Sequence, residues 1–272
     1  MKKIKILTTV LLALLLVTFL ISSGCQTILV SKNGEMETGE TETRQYDFSE
    51  FTHVDISSAF SYEIMQSDTY SISITANNNL FDDIKVAKEG QTLIIGMEPP
   101  EVRWAIFNTN LNLKAVITMP QLNGLDSSGA TRGTIANFSS TENLDVTASG
   151  ASSVVLVKIS AGDVSSVVSG ASNVTGDIEA IKMELEASGA STVQLKGSAD
   201  SIAADGSGAS HLKLADLKVG NANIILSGAS DGTVNLDGKL DAELSGASTL
   251  EYIGEPTLGI TDISGASKLK RK

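Results

Sequence analysis

The chain has 272 residues, a formal net charge of −12, 24 glycines, 4% aromatic residues and one cysteine. That acidity excludes a nucleic-acid binder, whose partner's phosphates it would repel, and electrostatic docking on anionic lipid. A single cysteine excludes any disulfide within the chain, and so few aromatics beside so many glycines suit thin, regular rungs better than one large mixed core.

The N-terminal end is non-globular. Lys2, Lys3 and Lys5 precede an apolar run from Ile6 to Ile21, followed by Ser22, Ser23, Gly24 and Cys25. A basic start, an apolar stretch and small residues have the layout of an export signal. A lone cysteine directly after them resembles the lipobox of bacterial lipoproteins, in which cleavage leaves a lipid-modified N-terminal cysteine, here Cys25. Ser22 stands where that motif usually has Leu, with Ile21 one step further back. The alternatives are an uncleaved helix, since Ile6 to Gly24 is 19 residues and near the length that spans a bilayer, and plain secretion. All three place the body outside the cytoplasm. Without residues 1–25 the balance is 17 Lys+Arg against 32 Asp+Glu, a charge of −15, so membrane attachment is expected through the N-terminal lipid anchor alone.

Residues 26–45 are polar, with Glu35, Glu37, Glu40 and Glu42, which predicts a flexible tether. Residues 46–120 form a β-rich but less regular part. Val54–Ile56, Tyr62–Met65, Tyr70–Ile74, Leu93–Met97 and Leu111–Ile117 are short and rich in β-branched residues, several alternating apolar with polar as half-buried strands do. Asn77-Asn78-Asn79, Glu89-Gly90 and Pro99-Pro100 mark turns, and Leu80–Val86 is a candidate helical turn.

From about residue 121 to 268 a Ser-Gly-Ala-Ser/Thr tetrad recurs eight times, at Gly129, Gly150, Gly170, Gly189, Gly208, Gly228, Gly246 and Gly265, with steps of 18 to 21 residues. A near-constant step predicts a stack in which each repeat buries its apolar face against its neighbours. Aligned on the glycine, offsets −6, −4 and −2 are apolar: Leu144, Val146, Ala148, then Met183, Leu185, Ala187, then Leu240, Ala242, Leu244. Offsets −5 and −3 carry polar residues such as Asp145, Glu184, Glu186, Asp241 and Glu243, and offset +4 is apolar again at Val154, Val174, Val193, Leu212, Leu250 and Leu269. Each repeat reads as a strand, a tight corner, a second strand and a looser return that carries the length variation. This predicts an all-β fold, a right-handed parallel β-helix (β-solenoid). At the corner, glycine supplies angles that a β-carbon forbids, alanine is expected to point into the narrow interior, and the serines to bond orphan backbone groups. No copy forms the Gly-x-Ser-x-Gly elbow of a serine hydrolase.

The stretch Leu122-Asn123-Gly124-Leu125-Asp126-Ser127-Ser128-Gly129-Ala130-Thr131 and the serial corners after it, preceded by a strand-rich segment ending in Met119-Pro120, resemble the auto-transporter adhesin head domain family (head GIN domain) of bacterial envelope proteins. Phe48–Ile56 and Asn79–Ile84 are similar to that family's N-terminal part. The resemblance covers residues 46–268 and implies adhesion; it brings no catalytic residue.

Asp145, Glu184, Glu186, Asp205, Asp241 and Glu243 form an outward acidic column in which adjacent carboxylates are candidates to share a hard cation. Ser165, Val167, Ala203, Asn223 and Ile225 interrupt it and no calcium-loop motif is present, so a solvated face is the better reading and no metal site is assigned. From Gly129 onward the repeats hold one Tyr, one Phe and no Trp, too few aromatic platforms for a polysaccharide-cleaving site. The candidate recognition feature is the loop with Arg103, Trp104 and Phe107, where aromatics beside an arginine make contact anchors. His211 reads as a surface histidine, and residues 269–272 as a basic tail that protects an open solenoid end. The expected function is a non-enzymatic envelope module binding glycan or protein, with no catalytic residue and no cofactor. The alternatives are a polysaccharide-active enzyme and an assembly component stacking end to end; the sequence sets no oligomeric state.

Overall fold

The computed structural model describes residues 40–98 and 112–272. The first strands are β1 (Thr41–Tyr46), β2 (His53–Ile56), β3 (Ser61–Gln66), β4 (Ser71–Asn77), β5 (Ile84–Glu89), β6 (Thr92–Met97) and β7 (Lys114–Met119). The repeats then supply β8 (Gly124–Ser127), β9 (Arg132–Ala136), β10 (Leu144–Ala148), β11 (Ser153–Ser160), β12 (Asp163–Val168), β13 (Asn173–Ala187), β14 (Thr192–Gly206) and β15 (His211–Leu226). The last five are β16 (Asp231–Leu236), β17 (Lys239–Leu244), β18 (Thr249–Ile253), β19 (Thr257–Ile263) and β20 (Lys268–Arg271).

Strands that lead into a tetrad stack in parallel as one wall: β8, β10, β12, the second halves of β13, β14 and β15, then β17 and β19. Strands that leave it stack as a second wall: β9, β11, the first halves of β13, β14 and β15, then β16, β18 and β20. This is the parallel β-helix that the repeat predicts. The apolar offsets face inward: Leu144, Val146, Met183, Leu185, Leu240 and Leu244 are all buried, each contributing roughly 1.5–3 kcal/mol relative to exposure. Length variation is absorbed mostly after the corner, as register shifts between Leu156 and Ile159, Gln194 and Lys196, and Leu214 and Lys218; one further shift lies before a corner, between Leu240 and Ala242.

The corner has one arrangement throughout. All eight tetrad glycines have φ between +69° and +80°. The alanine N–H donates to the glycine carbonyl one rung back, at 2.7 Å for Ala151 to Gly129 and 2.8 Å for Ala171 to Gly150. A β-carbon on Gly170 would lie 2.5 Å from the Gly150 oxygen. One expectation is overturned here. The alanines are exposed, and the residue after them is the one that points inward: Ser152, Ser172, Ser191, Ser210, Ser230 and Ser248 are buried. The left-handed glycine breaks the two-residue alternation, so the side of the chain that faces inward shifts by one. Ser152 Oγ donates to the Ser149 carbonyl at 2.7 Å and Ser230 Oγ to that of Ser227 at 2.6 Å, which satisfies these two buried hydroxyls within their own corners.

The N-terminal part belongs to the same stack, in an order that differs from chain order. β2 and β3 form the rung beneath β8 and β9, pairing His53 with Gly124 and Ser61 with Arg132. Their corner has no glycine; Ser58 and Ala59 take the left-handed angles instead, at φ +64°. Tyr62 lies under Gly133, where a β-carbon would come 2.0 Å from its ring, and its hydroxyl donates to Ser127 Oγ at 3.0 Å. Burial pushes the Tyr62 phenol up to about 12. β6 and β7 form the next rung out, in parallel with β2 and β3. Antiparallel strands then finish that end: β5 on β6, β4 on β7, and β1 on β4. Phe51, Leu80 and Phe81 close over the core there, with the Arg44 guanidinium 4.0 Å above the Phe81 ring.

Three boundaries shift accordingly. Residues 41–45, polar enough to read as tether, begin β1 because an edge strand needs little apolar content. The helical turn is a 3-10 turn at Asn78–Leu80, and β5 starts at Ile84. The basic tail is a paired strand: β20 lies in register on Thr249–Tyr252.

The corner geometry makes opposite predictions for adjacent residues. Gly170→Ala places a β-carbon at positive φ against a carbonyl and should cost on the order of 1–3 kcal/mol. Ala171→Ser, on an exposed side chain, should stay within about 0.5 kcal/mol of the parent in denaturant unfolding.

Candidate functional site

The wall leading into the corners presents a straight array of outward side chains, because parallel pairing keeps equal offsets in line. Across four rungs one column reads Lys182, Ser201, Asn221, Lys239, and the next reads Glu184, Ala203, Asn223, Asp241. The outer rungs each carry an ion pair between residues two apart on one face. Lys182 Nζ lies 2.5 Å from Glu184 Oε1, and Lys239 Nζ 2.7 Å from Asp241 Oδ2. The inner rungs carry short uncharged side chains, so the surface dips between the pairs. The dip has a volume of about 230 Å³ over Ser201, Ala203, Asn221 and Asn223. A second depression of about 170 Å³, bordered by Glu186 and Asp205, shares Ala203 and Asn223 with it. Together they form one shallow trough across these rungs.

The electrostatics of the trough follow from its rims. The Glu184 carboxylate holds the Lys182 ammonium above its ordinary range. Lys239, with the Ile260 N–H donating at 2.6 Å, holds Asp241 below the usual carboxylate range. The six acidic residues read as a column therefore do not act together. Glu184 and Asp241 are each neutralised by a lysine, Asp145 stands apart beside Ser165, and only Glu186 and Asp205 are direct neighbours within a pair of rungs. Glu243 is exposed and lies beside Ile225. Among the described residues no three His, Cys, Asp or Glu side chains are grouped to hold a metal ion. The lysines two residues before the carboxylates are what the sequence reading missed; same-face i, i+2 spacing in a strand was the available signal.

His211 is not isolated: its Nδ1 lies 2.5 Å from Asp231 Oδ1 on the next rung. Arg103, Trp104, Phe107 and Cys25 lie outside the described residues. In the chain, Arg103, Trp104 and Phe107 fall between β6 and β7.

Against known proteins, the family described as "Putative auto-transporter adhesin, head GIN domain" matches residues 50–256. The chain belongs to that family. Solved structures agree on the fold. A putative adhesin from Parabacteroides merdae is 16% identical with a TM-score of 0.75, covering 86% of this chain and 97% of its own. One from Bacteroides fragilis is 22% identical with a TM-score of 0.67, at 86% and 97% coverage. A Parabacteroides distasonis structure titled as a putative lipid binding protein is 19% identical with a TM-score of 0.67 and the same coverage. No curated protein matches the chain. Family membership makes a surface or envelope protein with an adhesin-like head the coarse functional assignment.

One carboxylate near the sealed end gives a pH prediction. Asp55 stands beside Asp126 on the adjacent rung, and partial burial, then Asp126, raises its pKa. A raised carboxylate pKa means that the charged form disfavours the folded state above that pKa, and that the penalty disappears as pH falls through it. Asp55→Asn should therefore raise the melting temperature at pH 7, and the difference should vanish on acidification towards pH 4.

Proposed function

We propose that this chain is a lipid-anchored envelope protein whose β-helix is a rigid, non-enzymatic module for binding glycan or protein at the cell surface. The observation that carries the reading is the trough. It offers amide, hydroxyl, ammonium and carboxylate groups on a straight open face, and the two lysines on its rims are paired with Glu184 and Asp241, while Glu186 and Asp205 at its edge have no ion-pair partner among the described residues. Catalysis of glycoside cleavage asks for two carboxylates flanking one bond, with the acid's pKa raised; Asp241 is lowered instead. Membership of an adhesin-head family, and the putative adhesins among solved structures of the same fold, support the same reading. Cys25 is the proposed lipidation site, and Arg103, Trp104 and Phe107 are proposed as a second contact, since Trp and Arg are enriched in binding hot spots.

A glycan array, with immobilised envelope and host-surface proteins alongside, tests the module. Ala203→Trp fills the trough and Trp104→Ala removes the loop anchor. The reading expects each to weaken binding by tenfold or more, about 1.4 kcal/mol, with unchanged melting. Release of new reducing ends from a polysaccharide by the purified chain would show an enzyme instead. For the anchor, Cys25→Ser should move the protein out of the membrane fraction and leave its N-terminus without the mass of acyl chains.

A further inference from the structure

The two ends of the stack are finished differently. At one end antiparallel strands and Phe51, Leu80 and Phe81 cover the core. At the other, β19 and β20 carry no further strand among the described residues, and every residue of β19 is exposed. Leu258 and Ile263 pair with the buried Leu240 and Leu244, so they face inward, yet they are 46% and 45% exposed. Ile260, at the register shift, is 72% exposed. The free N–H and C=O groups of two strands thus border an open apolar core, an arrangement that repeat folds cover with a capping unit or a partner.

The charges of this rung indicate what covers it. Glu251 and Glu255, on the strand below and the connection that follows it, pair with three of the basic residues: Lys270 with Glu251 at 2.7 Å, Lys272 with Glu251 at 3.9 Å, and Arg271 with Glu255. Asp262 and Lys268 have no ion-pair partner among the described residues. They stand three positions before and three positions after Gly265, on opposite walls.

We propose that this end binds the same end of a second copy of the chain, about a two-fold axis running along the strand direction. That rotation lays β19 of each copy antiparallel on β20 of the other, corner over corner. A residue three before Gly265 then meets the residue three after it, so Asp262 of each copy faces Lys268 of the other, twice in the interface. Inward positions meet inward positions as well: Ile263 meets Ser267, and Thr261 meets Leu269, which closes the two cores on each other. Rotation about an axis perpendicular to the walls would instead bring β20 against β20 and crowd the basic residues of both copies together. The interface is isologous, so it closes at a dimer and does not grow into a fibre.

The full chain in detergent is assayed by light scattering over a range of concentrations, alongside Asp262→Lys, Lys268→Asp and the two combined. Each single reversal should weaken the dimer tenfold or more, and the combination should return it to within about threefold of the parent. Asp262→Cys combined with Lys268→Cys should give a disulfide-linked dimer on mild oxidation that neither single cysteine variant gives. All these side chains are exposed, so equal melting temperatures establish that the variants fold. A parent that stays monomeric throughout, a dimer indifferent to both reversals, or crosslinking by the single variants as readily as by the double would each overturn the proposal.

Discussion

A glycine carbonyl that accepts the alanine N–H of the next rung is the contact on which the structure depends. Rungs in a parallel stack are about 4.8 Å apart, and at the corner that spacing leaves the carbonyl where a β-carbon would otherwise stand. The positive φ turns the chain within a few residues, and the hydrogen bond ties that turn to the one below. Because eight corners share nearly the same angles and seven such bonds join them, the strands on both sides are brought into register, and each offset from the glycine acquires one environment.

Register of that kind makes the surface as regular as the core. Side chains at one outward offset stand in line, so a change of residue type along a column makes a feature in the surface. The trough arises this way: Ser201, Ala203, Asn221 and Asn223 are shorter than the lysines and carboxylates on the rungs to either side. The same regularity makes the ends distinctive. A rung has two neighbours everywhere except at the termini of the stack, and among the described residues only one of those termini is covered by elements of a different kind. A straight face and an open end suit recognition and assembly.

Much of this was legible in the sequence. The tetrad spacing and the apolar offsets locate the strands and the inward residues from Leu144 to Leu250, because period two and a constant repeat are local properties. Alanine was assigned to the interior by extending that alternation through the corner, where the left-handed glycine interrupts it. The stacking of β2 between β6 and β8 and of β3 between β7 and β9 was not legible, since it joins segments out of chain order and its corner uses Ser58 and Ala59 where the repeats have glycine. Residues 41–45 escaped because an edge strand at the sealed end is polar on most of its surface. The trough's rims were present as Lys-x-Glu and Lys-x-Asp, but attention to carboxylates alone concealed that each was already paired. Cross-rung partners such as His211 and Asp231 require the register, which the repeat length alone does not supply to within one residue.

Amide hydrogen exchange at the corners tests the central claim most directly. The alanine side chains at 151, 171, 190, 209 and 229 are exposed, yet their N–H groups are bound to the glycine carbonyl of the rung below. The account predicts that these amides exchange as slowly as those of the adjoining wall strands. Exchange at the rate of a solvated turn would show that the corners do not hold the stack together, and would contradict it.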